Sequence, residues 1–97
     1  MKGSILIVED AADMRDLLTE VLKASYEITA AENGAALKQA LNGNQPDVVL
    51  LDLGLPDANG LDLLPQIKRQ WPDTEVVVLT GNATFEAAIK ATKLGRS

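Results

Sequence analysis

Ninety-seven residues with a net charge of −5, 46% apolar and 24% charged, describe one soluble domain over residues 1–97 rather than two. The chain has no cysteine and no histidine, which excludes a disulfide framework, a thiolate metal centre and the commonest general base. The acidic balance argues against binding to nucleic-acid phosphates. No apolar run approaches the roughly 20 residues of a membrane span, and Met1 opens no signal-peptide pattern, so the expected location is cytoplasmic with no membrane partner.

The first element is "SILIV", residues 4–8. A short apolar, β-branched run of this kind predicts a strand buried on both faces. Glu9 and Asp10 follow. Met14, Leu17, Leu18, Val21 and Leu22 then recur at helical spacing and predict a helix over residues 11–24, with that stripe facing the core. Tyr26, Ile28 and Ala30 alternate with Glu27 and Thr29, as in a half-exposed edge strand. After the turn "ENG", the residues Ala36, Leu37, Ala40 and Leu41 mark a second helix that stops at Asn42–Gly43. "DVVLLD" is a second buried strand ending at Asp52. Leu61, Leu64 and Ile67 mark a third helix ended by "WPD", with Pro65 tolerable near a first turn and otherwise a kink. "EVVVLT" is a third buried strand ending at Thr80, and Phe85, Ala88, Ile89 and Thr92 form a fourth helix closed by Gly95.

Strands alternating with helices in the order βαβαβαβα require a doubly wound parallel sheet covered on both faces. In such sheets sites form at the carboxyl ends of the strands, where the winding direction reverses. The residues at those ends are Glu9, Asp10, Asp52 and Thr80. Adjacent first and third strands would bring three carboxylates into one crevice. Ionised acids so close repel one another unless a cation is present, and hard oxygen ligands in a half-open site suit Mg²⁺. A carboxylate at Asp52, beside a metal and the Thr80 hydroxyl, is placed to attack phosphorus. Taken singly, each residue has a plainer role: an acid at a strand end is ordinarily a solvated loop residue or a helix cap. It is the constellation that is specific. Asp13 and Asp16 fall on the polar face of the first helix, and Asp57 and Asp62 read as turn and helix-start residues.

"ILIVEDAADMRDLLTEVL", "PDVVLLDLGLPDANGLDLLPQIK" and "VVVLTGNATFEAAIKATKLG" resemble the receiver domain of two-component response regulators. The resemblance spans essentially the whole chain. It implies a flavodoxin-like (CheY-like) α/β fold with four strands and four helices present, (βα)4. It implies a phosphoacceptor, not an enzyme: Asp52 takes a phosphoryl group from a sensor histidine kinase or phosphotransfer protein. Glu9, Asp10, Asp52 and the backbone carbonyl of Gly54 would hold Mg²⁺, and Thr80 would contact the phosphoryl group. A dehalogenase-type phosphatase also uses a strand-end Asp but wants a second Asp two residues on, where Gly54 stands.

The chain ends at "KLGRS", and the resemblance implies a further strand, a lysine at its tip and a fifth helix beyond that point. Lys90 and Lys93 do not take that lysine's place. The expectation is impaired phosphorylation and a homo-oligomer that covers the edge of "EVVVLT" or the face vacated by the fifth helix. The alternative is a non-catalytic interaction or oligomerisation module on the same fold.

Overall fold

The computed structural model describes residues 2–79, so Thr80 and the expected fourth helix lie outside the described residues. The elements run β1 (Gly3–Val8), α1 (Ala12–Leu22), β2 (Tyr26–Ala31), α2 (Gly34–Ala40), β3 (Val48–Asp52), α3 (Gly60–Gln70) and β4 (Glu75–Leu79). Every strand found in the sequence is present.

All four strands are parallel, in the order β2-β1-β3-β4. From β1 the chain winds outward to β2, then returns past β1 to β3 and on to β4. Right-handed crossovers therefore put α1 on one face and α2 and α3 on the other. The winding reverses between β1 and β3, whose registered pairs run from Ile5–Val48 to Val8–Leu51.

The core lies almost wholly on the α2/α3 face. Leu6 and Val8 of β1 meet Val49 and Leu51 of β3, Leu37 of α2, and Leu63, Ile67 and Trp71 at α3 and its end. Ile5 and Ile7 point the other way by strand alternation and are also buried. α1 departs from expectation. It buries no residue, and Met14, Leu17 and Val21 stand 42%, 57% and 67% exposed. Helical periodicity marks an apolar stripe correctly but does not say that anything covers it. For the same reason Val48 and Leu50, read as fully buried, are half-buried, as are Val76–Leu79 of β4.

Asn33 caps α2 through the Ala36 N–H at 2.8 Å, and Asn59 caps α3 through the Leu61 N–H at 2.9 Å. Pro65 sits inside α3, beyond its first turn, with its ring exposed. The carbonyl one turn earlier, which proline leaves without its helical N–H partner, belongs to Leu61, an exposed residue. At the amino ends of the strands, the buried Thr74 Oγ1 donates to the Pro46 carbonyl at 2.7 Å, and the Asp47 carboxylate accepts from the Ser4 N–H at 2.7 Å. The exposed stretch of residues 42–45 connects α2 to β3 at that same end. Among the described residues no helix is long and apolar enough to cross a membrane.

Candidate functional site

The carboxyl ends of β1 and β3 hold the three acids that the sequence singled out. The Glu9 N–H donates to the Ala31 carbonyl of β2 at 3.0 Å, which anchors the residue just past β1. Asp52 is the last residue of β3, in register with Leu79 of β4. The following Leu53 N–H donates to the Leu79 carbonyl at 2.9 Å. Two neighbouring parallel strands thus end in acids at the same level. One carboxylate oxygen from each of Glu9, Asp10 and Asp52 lies within 4.8 Å of the other two.

Their surroundings differ. Asp10 is exposed, whereas Glu9 is 8% and Asp52 3% exposed. Burial pushes the Glu9 carboxyl up from 4.5 to about 7, helped by the neighbouring carboxyls of Asp52 and Asp10 and opposed by the Ala11 N–H. Two buried carboxylates facing a third across a few ångströms are a poor arrangement for the protein alone. A set of hard oxygens from acids that near together fits a hard divalent cation. One oxygen of Asp52 is oriented locally: the Gly54 N–H donates to Asp52 Oδ1 at 3.0 Å. Gly54 itself is exposed on the loop that borders the crevice.

Gly60 closes that loop. A Cβ there would lie 2.7 Å from Leu53 Cα and 2.9 Å from the Asp52 carbonyl oxygen, so only glycine lets α3 start this close to the end of β3. Its N–H donates to the Leu53 carbonyl at 3.2 Å.

Arg15 was not singled out in the sequence. Its Nη1 donates to the carbonyls of Glu9 at 2.9 Å and Asp10 at 3.0 Å, and Nη2 lies 4.0 Å from Glu32 Oε2. The guanidinium ties the first turn of α1 to the acidic segment and brings a positive charge behind it. A cation five residues after an acid pair, on the next helix, was the available signal. Asp13, Asp16 and Asp62 are exposed, as expected. Asp57 is more than a turn residue: its carboxylate accepts from the Gly34 and Ala35 N–H groups of α2. Thr80 lies outside the described residues.

Residues 5–97 match the family described as the response regulator receiver domain. The DNA-binding transcriptional regulator NtrC of Rhizobium meliloti (strain 1021) is 38% identical over 94 residues, covering 96% of this chain and 19% of NtrC. The chain therefore spans about a fifth of the length of that relative. The chemotaxis protein CheY of Thermotoga maritima is 33% identical over 97 residues, covering 98% of this chain and 81% of CheY. Among solved structures, a response regulator protein from Burkholderia pseudomallei with a phosphorylated aspartic acid, calcium ion and citrate aligns with a TM-score of 0.79 and 25% identity, covering 95% of this chain and 55% of that one. The match over nearly the whole length and the likeness to CheY establish the family: the chain belongs to the response regulator receiver domains of two-component signalling.

Proposed function

We propose that Asp52 is the phosphoacceptor of this receiver domain. The observation that carries the reading is the meeting of Glu9, Asp10 and Asp52 at the point where the sheet reverses its winding, with ligand oxygens within 4.8 Å. The related Burkholderia structure carries a phosphorylated aspartic acid and a calcium ion, which supports both an acceptor aspartate and a divalent cation. In this chain Glu9, Asp10, Asp52 and the Gly54 carbonyl would hold Mg²⁺. Bound there, the cation supplies the charge that offsets the phosphoryl oxygens.

The chain's own part is positioning. The Gly54 N–H holds Asp52 Oδ1, and the end of β3 holds its backbone. Attack by an Asp52 carboxylate oxygen on the phosphorus of a phosphohistidine forms an O–P bond as the P–N bond breaks. Solvent supplies the proton that the departing imidazole takes up. The Thr80 hydroxyl would contact the transferred group. The donor is a sensor histidine kinase or phosphotransfer protein, and the setting is the cytoplasm.

Incubation with radiolabelled acetyl phosphate tests the reading. Label should appear only with Mg²⁺ and should vanish in Asp52→Asn. Label that persists in that variant, or none in the parent chain, overturns it.

A second reading, a self-associating interaction module, draws on the exposed Met14, Leu17 and Val21 of α1. Among the described residues the outer edge of β4 also pairs with no strand. Sedimentation over a tenfold concentration range addresses it: a dimer or larger oligomer that Leu17→Glu or Val77→Lys dissociates supports association, and a compact monomer throughout removes it.

A further inference from the structure

The loop between β3 and α3 is pinned to the sheet at its start and to α3 at its end. Its middle is held by a different element. Asp57 Oδ1 accepts from the Gly34 N–H at 2.7 Å, and Oδ2 accepts from the Ala35 N–H at 3.1 Å. These are the first two amides of α2, which the helix itself leaves without partners. Asn33 engages the third, the Ala36 N–H. The cap of α2 is therefore completed by a side chain from the loop that carries Gly54, 23 residues away in sequence.

Packing reinforces the link. A Cβ at Gly34 would lie 2.9 Å from the Ala58 Cβ and 3.1 Å from Asp57 Oδ1, so the loop rests directly on the start of the helix. The Gly34 amide is also the main reason the Asp57 carboxyl lies below its usual range. Among the described residues, Asp57 makes the only hydrogen bonds between this loop and α2. Leu55, buried in the core, is the loop's apolar anchor on the same arc.

We propose that Asp57 is a positioning residue for the acceptor site: by capping α2 from the β3–α3 loop, it fixes the Gly54 amide against Asp52 and makes the first turn of α2 and the wall of the acidic crevice one mechanical unit. Its functional consequence rests on Asp52 being the acceptor; the mechanical link does not. The coupling runs both ways, because what steadies one end of a linked pair steadies the other. Cation binding at the acids should slow opening at Gly34 and Ala35, and loss of the cap should loosen Gly54.

Amide hydrogen exchange of the parent chain, Asp57→Ala and Asp57→Asn, read by NMR with and without Mg²⁺, tests the inference. Loss of a side-chain cap corresponds to about tenfold in an opening equilibrium. Asp57→Ala should speed exchange at Gly54 by about that factor relative to Ile7 and Val49 in the same sample, which report global stability. Asp57→Asn keeps an acceptor oxygen for Gly34 and should restore most of the protection. Gly54 exchange that tracks Ile7 and Val49 in both variants overturns the inference, as does an equal effect of alanine and asparagine. A parent chain that takes no label from acetyl phosphate strikes the acceptor reading instead, and Gly54 exchange still decides the role of Asp57. Where both readings hold, Asp57→Ala should also label more slowly at saturating Mg²⁺, with Asp57→Asn close to the parent.

Discussion

Replacing Glu9 by glutamine should stabilise the metal-free protein at pH 8 and leave it unchanged near pH 4. Glu9 is 8% exposed beside the buried Asp52, and its carboxyl is raised from 4.5 to about 7. Below 4.5 the group is protonated in both folded and unfolded chains and contributes nothing. Between about 4.5 and about 7 the unfolded chain releases the proton that the folded carboxyl keeps, so stability falls as pH rises. Above about 7 both forms are ionised and the deficit is constant. The gap corresponds to about 3 kcal/mol as an upper bound, and residual water access at the crevice mouth reduces the expected effect to about 1–2 kcal/mol. Glutamine keeps the shape and removes the charge. Urea unfolding in the presence of a chelator at pH 4 and pH 8 measures the difference, and a thermal melt at pH 8 should show it as a rise of roughly 4–16 °C in a domain of this size. Adding millimolar-range Mg²⁺ at pH 8 should stabilise the parent chain and do much less for the variant. A gain of equal size at both pH values, or none at pH 8, would refute the argument that crowded, buried charge is what the site holds in reserve.

Gly60→Ala puts a methyl group against the backbone of Leu53 and Asp52; it should destabilise by about 1–3 kcal/mol in a thermal melt and slow acetyl phosphate labelling, and an unchanged melting point would contradict the packing. Thr74→Val strips the Pro46 carbonyl of its buried donor and should cost about 1–3 kcal/mol in urea unfolding. Because Thr74 sits at the opposite end of the sheet, Mg²⁺ binding by calorimetry should not change. Pro65→Ala restores a helical N–H inside α3 and should raise stability by about 1 kcal/mol, after allowing for the freer unfolded chain; a lower denaturation midpoint would mean that the helix is shaped around the ring.

Much of this architecture is written in local pattern. The apolar runs ending at Val8, Leu51 and Leu79, broken by polar and turn residues, mark strands because buried parallel strands carry few polar positions. The acids at their tips are legible because a strand end is itself a position in the sequence. What the sequence does not display is partnership across distance. The α1 stripe from Met14 to Val21 looks like any core-facing stripe, and only the structure reveals how little of the described chain lies against it. Asp57 reads as a turn residue because Pro-Asp is turn chemistry; nothing nearby in the chain announces that Gly34 and Ala35 are its partners. Arg15 leaves only a faint trace, a cation five residues after the acid pair, because its bonds run to main-chain carbonyls rather than to side chains.

The exposed stretch of residues 42–45 divides the chain between the two sides of the acidic cluster. Everything before it, β1, α1, β2 and α2, carries Glu9 and Asp10; everything after it carries Asp52 and Gly54. The seam between those portions includes the β1–β3 ladder, the Ser4–Asp47 hydrogen bonds, the packing of Leu37 against the α3 layer, and the Asp57 cap. A single cut in that stretch would thus yield two fragments, neither with all three acids of the cluster. Their reunion would rebuild the sheet and the crevice in the same event, which makes the domain a natural template for a split reporter, with the proposed cation binding as its readout.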